Sequence, residues 1–274
     1  ALFWSVHKDG NPAGYLLGTI HSEDPRVLEF SSEFLARLKE NRLFAMEMVP
    51  DLPTLARLTE YMQLPPGQGL EPVIGSERFG ILVEALSGYG VPDEFINRMK
   101  PWAAMMTLST PPPVTGFYMD LSLSLRASGS GLKVVGLETL EEQLSFLEYM
   151  PMDMQLSLLD QAIAEFGQVN DAHDQMVDAY LANNLADLQA LSEQQLEEVG
   201  QEAKDYFLRT GIIERNQRMA KSLLSHLDEN TVFTAVGALH LFGEDGLLAL
   251  LRQQGYELKP LEMPFSRGTA VQAQ

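Results

Sequence analysis

The chain has 274 residues, of which 45% are hydrophobic, and its formal net charge at pH 7 is −19. This length is enough to bury a sizeable core in one large domain. The negative charge argues against nucleic acid or an anionic membrane surface as a partner, because phosphates would be repelled. Cysteine is absent, which excludes disulfides, thiolate metal sites and a cysteine nucleophile, so a transition-metal site has to use histidine and carboxylates.

The beginning of the chain and its apolar runs bear on localisation. The longest apolar runs are too short for a membrane span, so no integral membrane segment is expected. The chain begins abruptly with the strand-like Ala1-Leu2-Phe3-Trp4 and no methionine. We interpret this as a trimmed or mature form, which predicts a periplasmic or secreted protein.

The first predicted elements form a hairpin and a β-α-β unit. Strand-like residues 2–7 and 15–21 flank a turn-rich linker. A short helix at about 32–40 leads to a buried strand at 43–48, and such a crossover joins parallel strands. Glu47 lies inside this second strand, where an unpaired charge is costly.

Two helical insertions are predicted, at about 51–128 and 139–228, interrupted by prolines and glycines. Between them, residues 132–138 form another buried strand. Glu138 ends this strand, and Thr139-Leu140-Glu141-Glu142 then matches a capping box that opens a helix. Glu138 is therefore expected where a strand meets a helix N-terminus.

The end of the chain repeats its opening layout. After a strand-like stretch at 232–240 come a loop, a helix at 246–254 and a strand at 256–263, in which Glu262-Met263 echoes Glu47-Met48. We therefore predict an α/β fold with a mixed, largely parallel central sheet, built from two duplicated β-α-β units with large helical insertions. The prediction is a single domain over residues 1–274, with core strands within about 2–48, 132–138 and 231–263.

Two strands of this sheet end in the same G-x-x-H pattern, Gly18-Thr19-Ile20-His21 and Gly237-Ala238-Leu239-His240. The glycine permits a close backbone approach as the strand ends. The histidine then leaves the sheet at its carboxyl edge, where open parallel sheets bind ligands. We expect His21 and His240 to converge on one site.

Two histidines and a carboxylate at strand ends are the ligand set of a Zn, Mn, Co or Fe site, and the remaining carboxylate can act as general base. The candidates are His21, Glu47, Glu138 and His240, which predict a hydrolase. Each histidine taken alone is more simply a hydrogen-bonded strand-end residue, but the matched pair with two carboxylates favours function. The chain has no H-E-x-x-H, G-x-S-x-G, P-loop or G-x-G-x-x-G motif.

Five blocks in order resemble the TraB/GumN family, which includes the Tiki metalloproteases. They cover nearly the whole chain, and they are Tyr15-Leu16-Leu17-Gly18-Thr19-Ile20-His21, Phe44-Ala45-Met46-Glu47, Gly136-Leu137-Glu138-Thr139 with Glu142-Gln143, Glu214-Arg215-Asn216 with Met219-Ala220, and Val236-Gly237-Ala238-Leu239-His240-Leu241. The resemblance implies a sheet with helical insertions, related to erythromycin-esterase-like hydrolases and to haem-binding lipoproteins.

The resemblance also implies a metal-dependent peptidase activity, with Mn or Co in the Tiki branch, and export. The implied metal ligands are His21, Glu47 and His240, with Glu138 as a further ligand or the base. Arg215 is implied to stabilise developing negative charge, and Asn216 and Asp120 to contact the substrate. We expect a divalent transition metal (Mn, Co or Zn) and a peptide or protein substrate. A metal-free esterase-like hydrolase and a non-catalytic peptide- or haem-binding protein are the alternatives.

Overall fold

The computed structural model of the protein describes residues 1–263 and 265. A sheet of six strands lies at its centre, in the order β4-β3-β5-β2-β1-β6. The strands of this described part are β1 (Phe3–Lys8), β2 (Asn11–Thr19), β3 (Leu43–Met46), β4 (Lys133–Gly136), β5 (Val232–Gly237) and β6 (Tyr256–Pro260).

The sheet is mixed and largely parallel, as predicted. β4, β3, β5 and β2 pair in parallel, and β1 pairs antiparallel with both β2 and β6. Every residue of β3 and nearly every residue of β5 is buried, because helices cover both faces of a parallel sheet and its strands read as continuous apolar runs. The parallel strands place their carboxyl ends at one edge.

Helices fill most of the rest of the described chain. They are α1 (Pro25–Leu28), α2 (Ser32–Lys39), α3 (Leu52–Tyr61), α4 (Glu71–Ile74), α5 (Ser76–Leu86), α6 (Asp93–Ile96), α7 (Pro101–Leu108), α8 (Met119–Gly129), α9 (Leu140–Glu148), α10 (Met152–Glu165), α11 (Val169–Leu181), α12 (Leu185–Glu198), α13 (Gln201–Tyr206), α14 (Glu214–Leu227) and α15 (Leu247–Gln253). A π-helical segment, Phe207–Ile213, precedes α14. Within residues 1–263 and 265, no helix is long and apolar enough to cross a bilayer.

The predicted duplication is not visible in the sheet. β2 and β3, the strands of the first unit, are separated by β5, whereas β6 lies at the far edge beside β1. Glu262 lies two residues beyond the end of β6, whereas Glu47 directly follows β3, so the two dipeptides occupy different positions relative to their strands.

Two apolar cores hold the fold. One surrounds the sheet, where Phe3, Phe34 and Phe233 pack ring against ring. The other lies among the helices of the two insertions and includes Trp102 and Leu159. The insertions thus pack on each other beside the sheet. The single domain over residues 1–274 stays a prediction, and its residues 264 and 266–274 lie outside the described part.

Gly14 in β2 is a position where only glycine fits. Its φ is +144°, and a Cβ built there would lie 1.9 Å from the carbonyl oxygen of Val232 in β5. We expect Gly14→Ala to lower the free energy of unfolding by about 2–4 kcal/mol, because strain and a backbone clash add. Urea denaturation measures this loss. Gly10→Ala is the control, because φ is +77° there but the added carbon would meet no atom of a non-neighbouring residue within 4 Å. A comparable loss of stability in both variants would contradict the steric explanation.

Candidate active site

The four residues predicted from the strand ends all lie at the carboxyl edge of the sheet. His21 comes two residues after β2, and Glu47 directly follows β3. Glu138 comes two residues after β4, and His240 ends a 3-10 turn that follows β5. Because β2, β3, β4 and β5 are parallel, the local sequence at each strand end delivers its polar residue to the same edge.

A cavity of about 990 Å³ opens at this edge. His21, Glu47 and His240 line it together with residues from the helices of the insertions. Its volume is at the upper end of the range of about 300–1,000 Å³ typical of small-molecule sites. The two histidines, far apart in sequence, thus line one shared cavity, and their joint action in one site stays a prediction.

Glu47 is held by donors on both carboxylate oxygens. The Gly237 backbone N–H donates to Oε1 at 2.7 Å, while Arg215 at 2.7 Å and the Gln143 amide at 3.1 Å donate to Oε2. Burial alone would raise the pKa of Glu47, but electrostatic interactions with His240 and Arg215, with the Gly237 hydrogen bond, lower it below its usual range. These contacts explain how a carboxylate persists at the end of an apolar strand.

Arg215 bridges Glu47 and Glu138. Its Nε and one terminal nitrogen donate to Glu138 Oε2 at 2.9 and 2.7 Å. The side chains of Arg215 and Glu138 are only 8% and 0% exposed. Burial raises the pKa of Glu138, and the Arg215 hydrogen bond and charge oppose that rise. One buried guanidinium therefore joins the ends of two neighbouring strands.

His240 has a defined tautomer. Its Nδ1 lies 2.7 Å from Asn216 Oδ1, and the Asn216 amide nitrogen donates to the carbonyl of Asp245 at 2.9 Å. A carbonyl only accepts, so the amide orientation is fixed, its oxygen faces His240, and Nδ1 carries the proton. Burial lowers the pKa of His240 to about 4, although the charge of Glu47 opposes this. At neutral pH, Nε2 is therefore an unprotonated acceptor.

The Nε2 atom of His240 lies 3.8 Å from Glu47 Oε1 and has no hydrogen-bond donor among the described residues. Both atoms are acceptors, and both residues line the cavity. A hydrogen-bond donor placed between them, such as water, would satisfy both acceptors at once. This pair presents two converging acceptors suited to orienting a nucleophilic water.

His21 is positioned by stacking. Its ring lies 3.9 Å from that of Tyr118 at an interplanar angle of 11°. Burial, and then the charge of His173, lower the pKa of His21. The loop before Tyr118 is fixed by Glu23, whose carboxylate accepts the backbone N–H groups of residues 114–116. His21 is thus neutral at pH 7 and held against an aromatic face.

Asp120, expected to contact substrate, is instead paired with Thr19, whose hydroxyl donates to its Oδ1 at 2.6 Å. Thr19 lines the cavity, but Asp120 is not among the lining residues. Burial, together with the charge of Glu47, raises the pKa of Asp120 to about 6 although the Thr19 hydrogen bond opposes this. The position of Asp120 behind Thr19 makes it a support of the β2 end.

The raised pKa of Asp120 makes stability depend on pH. The folded pKa lies above the unfolded value near 3.9, so its stabilising contribution is complete at low pH and is lost as pH rises from about 4 to 6, a change of about 2–3 kcal/mol. Asp120→Asn should remove this loss. Urea denaturation at pH 4.5 and 7.5 measures it, with Asp174→Asn on the α11 surface as the control. Equal pH dependence in wild type and Asp120→Asn would contradict the assignment.

The implied metal does not fit the side chains as they are arranged. Within residues 1–263 and 265, no group of three or more His, Asp or Glu side chains is placed to hold a metal ion. Glu47, one of the three expected ligands, has both oxygens hydrogen-bonded, one of them to a guanidinium. A carboxylate already neutralised by a fixed cation is a poor ligand for a second one. We therefore derive no step through a metal.

Sequence reasoning missed three residues of the site: Tyr118, Gln143 and His173. His173 lies on α11, lines the cavity and is hydrogen-bonded with Ser22 at 3.0 Å. Gln143 directly follows the capping box and was part of a resemblance block, which was its only signal. Asn216 was expected to contact substrate, but it is fully buried behind His240 and does not line the cavity.

Comparison with known proteins places this geometry in a family. Residues 2–260 match the model of the TraB/PrgY/gumN family. The chain is 25% identical to "Metalloprotease TIKI1" of Danio rerio over 97% of this chain and 65% of that protein. It is 25% identical to "Metalloprotease TIKI2" of Xenopus tropicalis over 94% of this chain and 59% of that protein.

A shorter relative covers a larger share of its own length. The "Uncharacterized protein YbaP" of Escherichia coli (strain K12) is 24% identical over 89% of each chain. The chain spans about three fifths of the length of the Tiki relatives it matches. No solved structure matches the chain. Since the family model covers nearly all of the sequence, this protein belongs to the TraB/PrgY/gumN family.

Proposed function

We propose that this protein is a hydrolase that cleaves peptide bonds in the cavity at the carboxyl edge of the sheet. One observation carries the proposal: the unprotonated Nε2 of buried His240 and the ionised Glu47 Oε1 lie 3.8 Å apart and face the same cavity. Two acceptors in this arrangement hold a water by both of its hydrogens. The relatives named metalloproteases support hydrolysis of peptides as the reaction class.

In the proposed reaction, His240 is the general base. The bound water gives a proton to Nε2 as its oxygen attacks the peptide carbonyl, and His240 then passes that proton to the leaving amine. A pKa near 4 keeps the imidazole unprotonated at neutral pH. The neighbouring carboxylate of Glu47 stabilises the imidazolium that forms during attack, as the carboxylate does in a Ser-His-Asp triad.

The other residues have positioning roles in this proposal. Asn216 fixes the tautomer of His240, and Arg215 holds Glu47 through one ion pair and Glu138 through another. Because its guanidinium is occupied by two carboxylates, Arg215 is better suited to orienting Glu47 than to stabilising a developing charge. We assign His21, neutral and stacked on Tyr118, to a hydrogen bond with the bound substrate.

A metal-dependent peptidase is the second candidate. The names of the Tiki relatives favour it, and a divalent Mn, Co or Zn ion with His21, Glu47 and His240 remains the form predicted from the sequence. Export to the periplasm or the outside of the cell also stays a prediction. Both candidates share the cavity and the peptide substrate, so they differ in their sensitivity to chelation.

Digestion of a peptide library, read by mass spectrometry, tests the proposal. The protein is compared before and after exhaustive dialysis against a chelator, and with the variant His240→Ala. Cleavage that survives dialysis and is lost in His240→Ala supports the metal-free reaction. Cleavage that is lost on dialysis and restored by Mn, Co or Zn selects the metal-dependent candidate. Saturable peptide binding without any product would overturn hydrolysis.

A further inference from the structure

The charged groups that line the cavity are all acidic. Glu165 of α10, Asp171 of α11 and Glu198 of α12 each lie in its wall, and Glu47 lines it from the end of β3. Among the described residues that line it there is no lysine or arginine, although the chain has 19 of these residues. Three separate helices therefore each present one carboxylate to the same space.

The wall carboxylates are free to bind a ligand. Glu165 accepts one hydrogen bond, from the Gln161 amide at 2.8 Å. The carboxylates of Asp171 and Glu198 have no ion pair or hydrogen bond with any described residue. Glu47 differs because Arg215 neutralises it. The wall thus has three uncompensated negative charges on exposed side chains, and a cleft lined by one sign of charge concentrates ligands of the opposite sign.

The same helices also give the cavity an apolar surface. Leu158, Leu188 and Leu191 line it together with Met105 and Met106 of α7. Methionine is flexible and polarisable, and it adapts to apolar groups of different shape. A ligand that matches both kinds of surface carries apolar side chains beside positive charge.

A second observation in the same cavity points to a ligand. The His240 side chain is only 6% exposed and the residue lines the cavity, yet its Nε2 has no hydrogen-bond donor among the described residues. A donor for this acceptor has to come from a ligand or water in the cavity. The acidic wall and the unpartnered base lie in one continuous space.

We propose that the substrates are cationic peptides, in which lysine or arginine side chains alternate with apolar ones. This inference rests on the proposed hydrolysis for the reaction and on the cavity wall for the preference. The wall carboxylates pair with the basic side chains, and the leucine and methionine surface receives the apolar ones. Acidic peptides are repelled by the same charges.

Matched peptides test the preference. We compare two peptides of the same leucine-containing sequence, one with two lysines and the other with two glutamates at the same positions. For each peptide, kcat/KM is measured with the wild-type protein and the dissociation constant with the His240→Ala variant. We expect the lysine peptide to be favoured at least about tenfold in both, in line with the usual size of electrostatic steering. The preference should shrink as salt is raised from 0.05 to 0.5 M, because exposed charges are screened.

A charge-reversal pair of variants identifies the source of the preference. The wall variant carries Asp171→Lys and Glu198→Lys, both in the cavity wall. The control variant carries Asp174→Lys and Glu202→Lys, which change the net charge by the same amount at exposed positions that do not line the cavity. The wall variant should lose or reverse the preference for the lysine peptide, and the control variant should keep it. Equal preferences in both variants would mean that only the overall charge acts, which would overturn the inference.

The outcomes also separate this inference from the proposed function. Tight, wall-dependent binding of the lysine peptide without cleavage would keep the cationic ligand and overturn the hydrolase. Cleavage of both peptides at the same rate would keep the hydrolase and overturn the cationic substrate class.

Discussion

Replacing Arg215 with methionine is expected to lower the free energy of unfolding by about 3–5 kcal/mol at pH 7, since removing one partner of a buried ion pair leaves an uncompensated charge. Glu138 would be that charge, because its side chain is 0% exposed. Methionine fills most of the volume of the arginine stem, so the loss measures charge rather than packing. Urea denaturation of wild type and variant at pH 7 gives the difference.

Arg218→Met is the matched control. Arg218 also faces Glu138, but its nitrogen lies 3.5 Å away and its side chain is 36% exposed. A partly exposed, long ion pair contributes about 0–1 kcal/mol, so this variant should lose far less stability than Arg215→Met. Equal losses in the two variants would show that Arg215 is not the charge that keeps Glu138 buried.

The pH dependence of Arg215→Met follows from the same cause. Burial raises the pKa of Glu138 already in the wild type, and without Arg215 nothing of equal strength opposes that rise. A carboxyl with a raised folded pKa costs stability above its unfolded pKa and costs nothing once both states are protonated. The deficit of the variant should therefore shrink as pH falls from 7 towards the unfolded pKa of about 4.3, and it should be nearly absent below that pH. Adding Glu138→Leu should restore much of the loss at pH 7, because two apolar residues can replace a buried pair.

Much of this site was predictable because it is encoded locally. An apolar run followed by a polar residue indicates both a buried strand and the group at its end, so Glu47 and Glu138 were found from their neighbours alone. Glycine three residues before each histidine marked the ends of β2 and β5 in the same way. Parallel pairing then brought the four ends to one edge.

The order of the strands in the sheet and the breaks between helices were harder to predict from the sequence. Local patterns do not say which strands become neighbours, so the insertion of β5 between β2 and β3 could not be foreseen. Within the helical insertion predicted at about 51–128, the structure has α6 and α7 as separate helices with a break before Pro101. Proline is tolerated in the first turn of a helix, and it disfavours helical backbone at the residue before it, which explains the break.

Contacts that depend on distant parts of the chain left no sequence signal. Tyr118 stacks on His21 only because Glu23 fixes the loop before it, and no periodicity reports that arrangement. The pairing of Asn216 with His240 likewise joins α14 to the turn after β5. The prediction placed Asn216 near the site but gave it a substrate contact, because a sequence does not show that a side chain is fully buried.

His240→Ala should reduce kcat/KM for a cleaved peptide by about 10²–10⁴-fold, the usual contribution of a positioned general base. The fold should remain, because the side chain lies at the cavity and its loss leaves Glu47 paired with Arg215. The control is His226→Ala near the end of α14, away from the cavity lining. Activity in His240→Ala close to that of the control would reject His240 as the base.

Asn216 tests the role of the tautomer separately from the presence of the imidazole. Asn216→Ala removes the acceptor of Nδ1–H and should lower kcat by about 10–100-fold, as the loss of an orienting partner of a functional histidine typically does. Asn216→Asp keeps an acceptor but adds a negative charge beside His240, which raises the pKa of the imidazole.

The base acts only when unprotonated, so the wild-type rate should fall as pH drops through about 4. In Asn216→Asp this fall in rate should occur at a higher pH, because the imidazole is protonated earlier. If Asn216 merely supported the fold, its replacement would change the rate but not the pH at which the rate falls. An unchanged pH of the fall in Asn216→Asp would therefore contradict the view that Asn216 sets the basicity of His240.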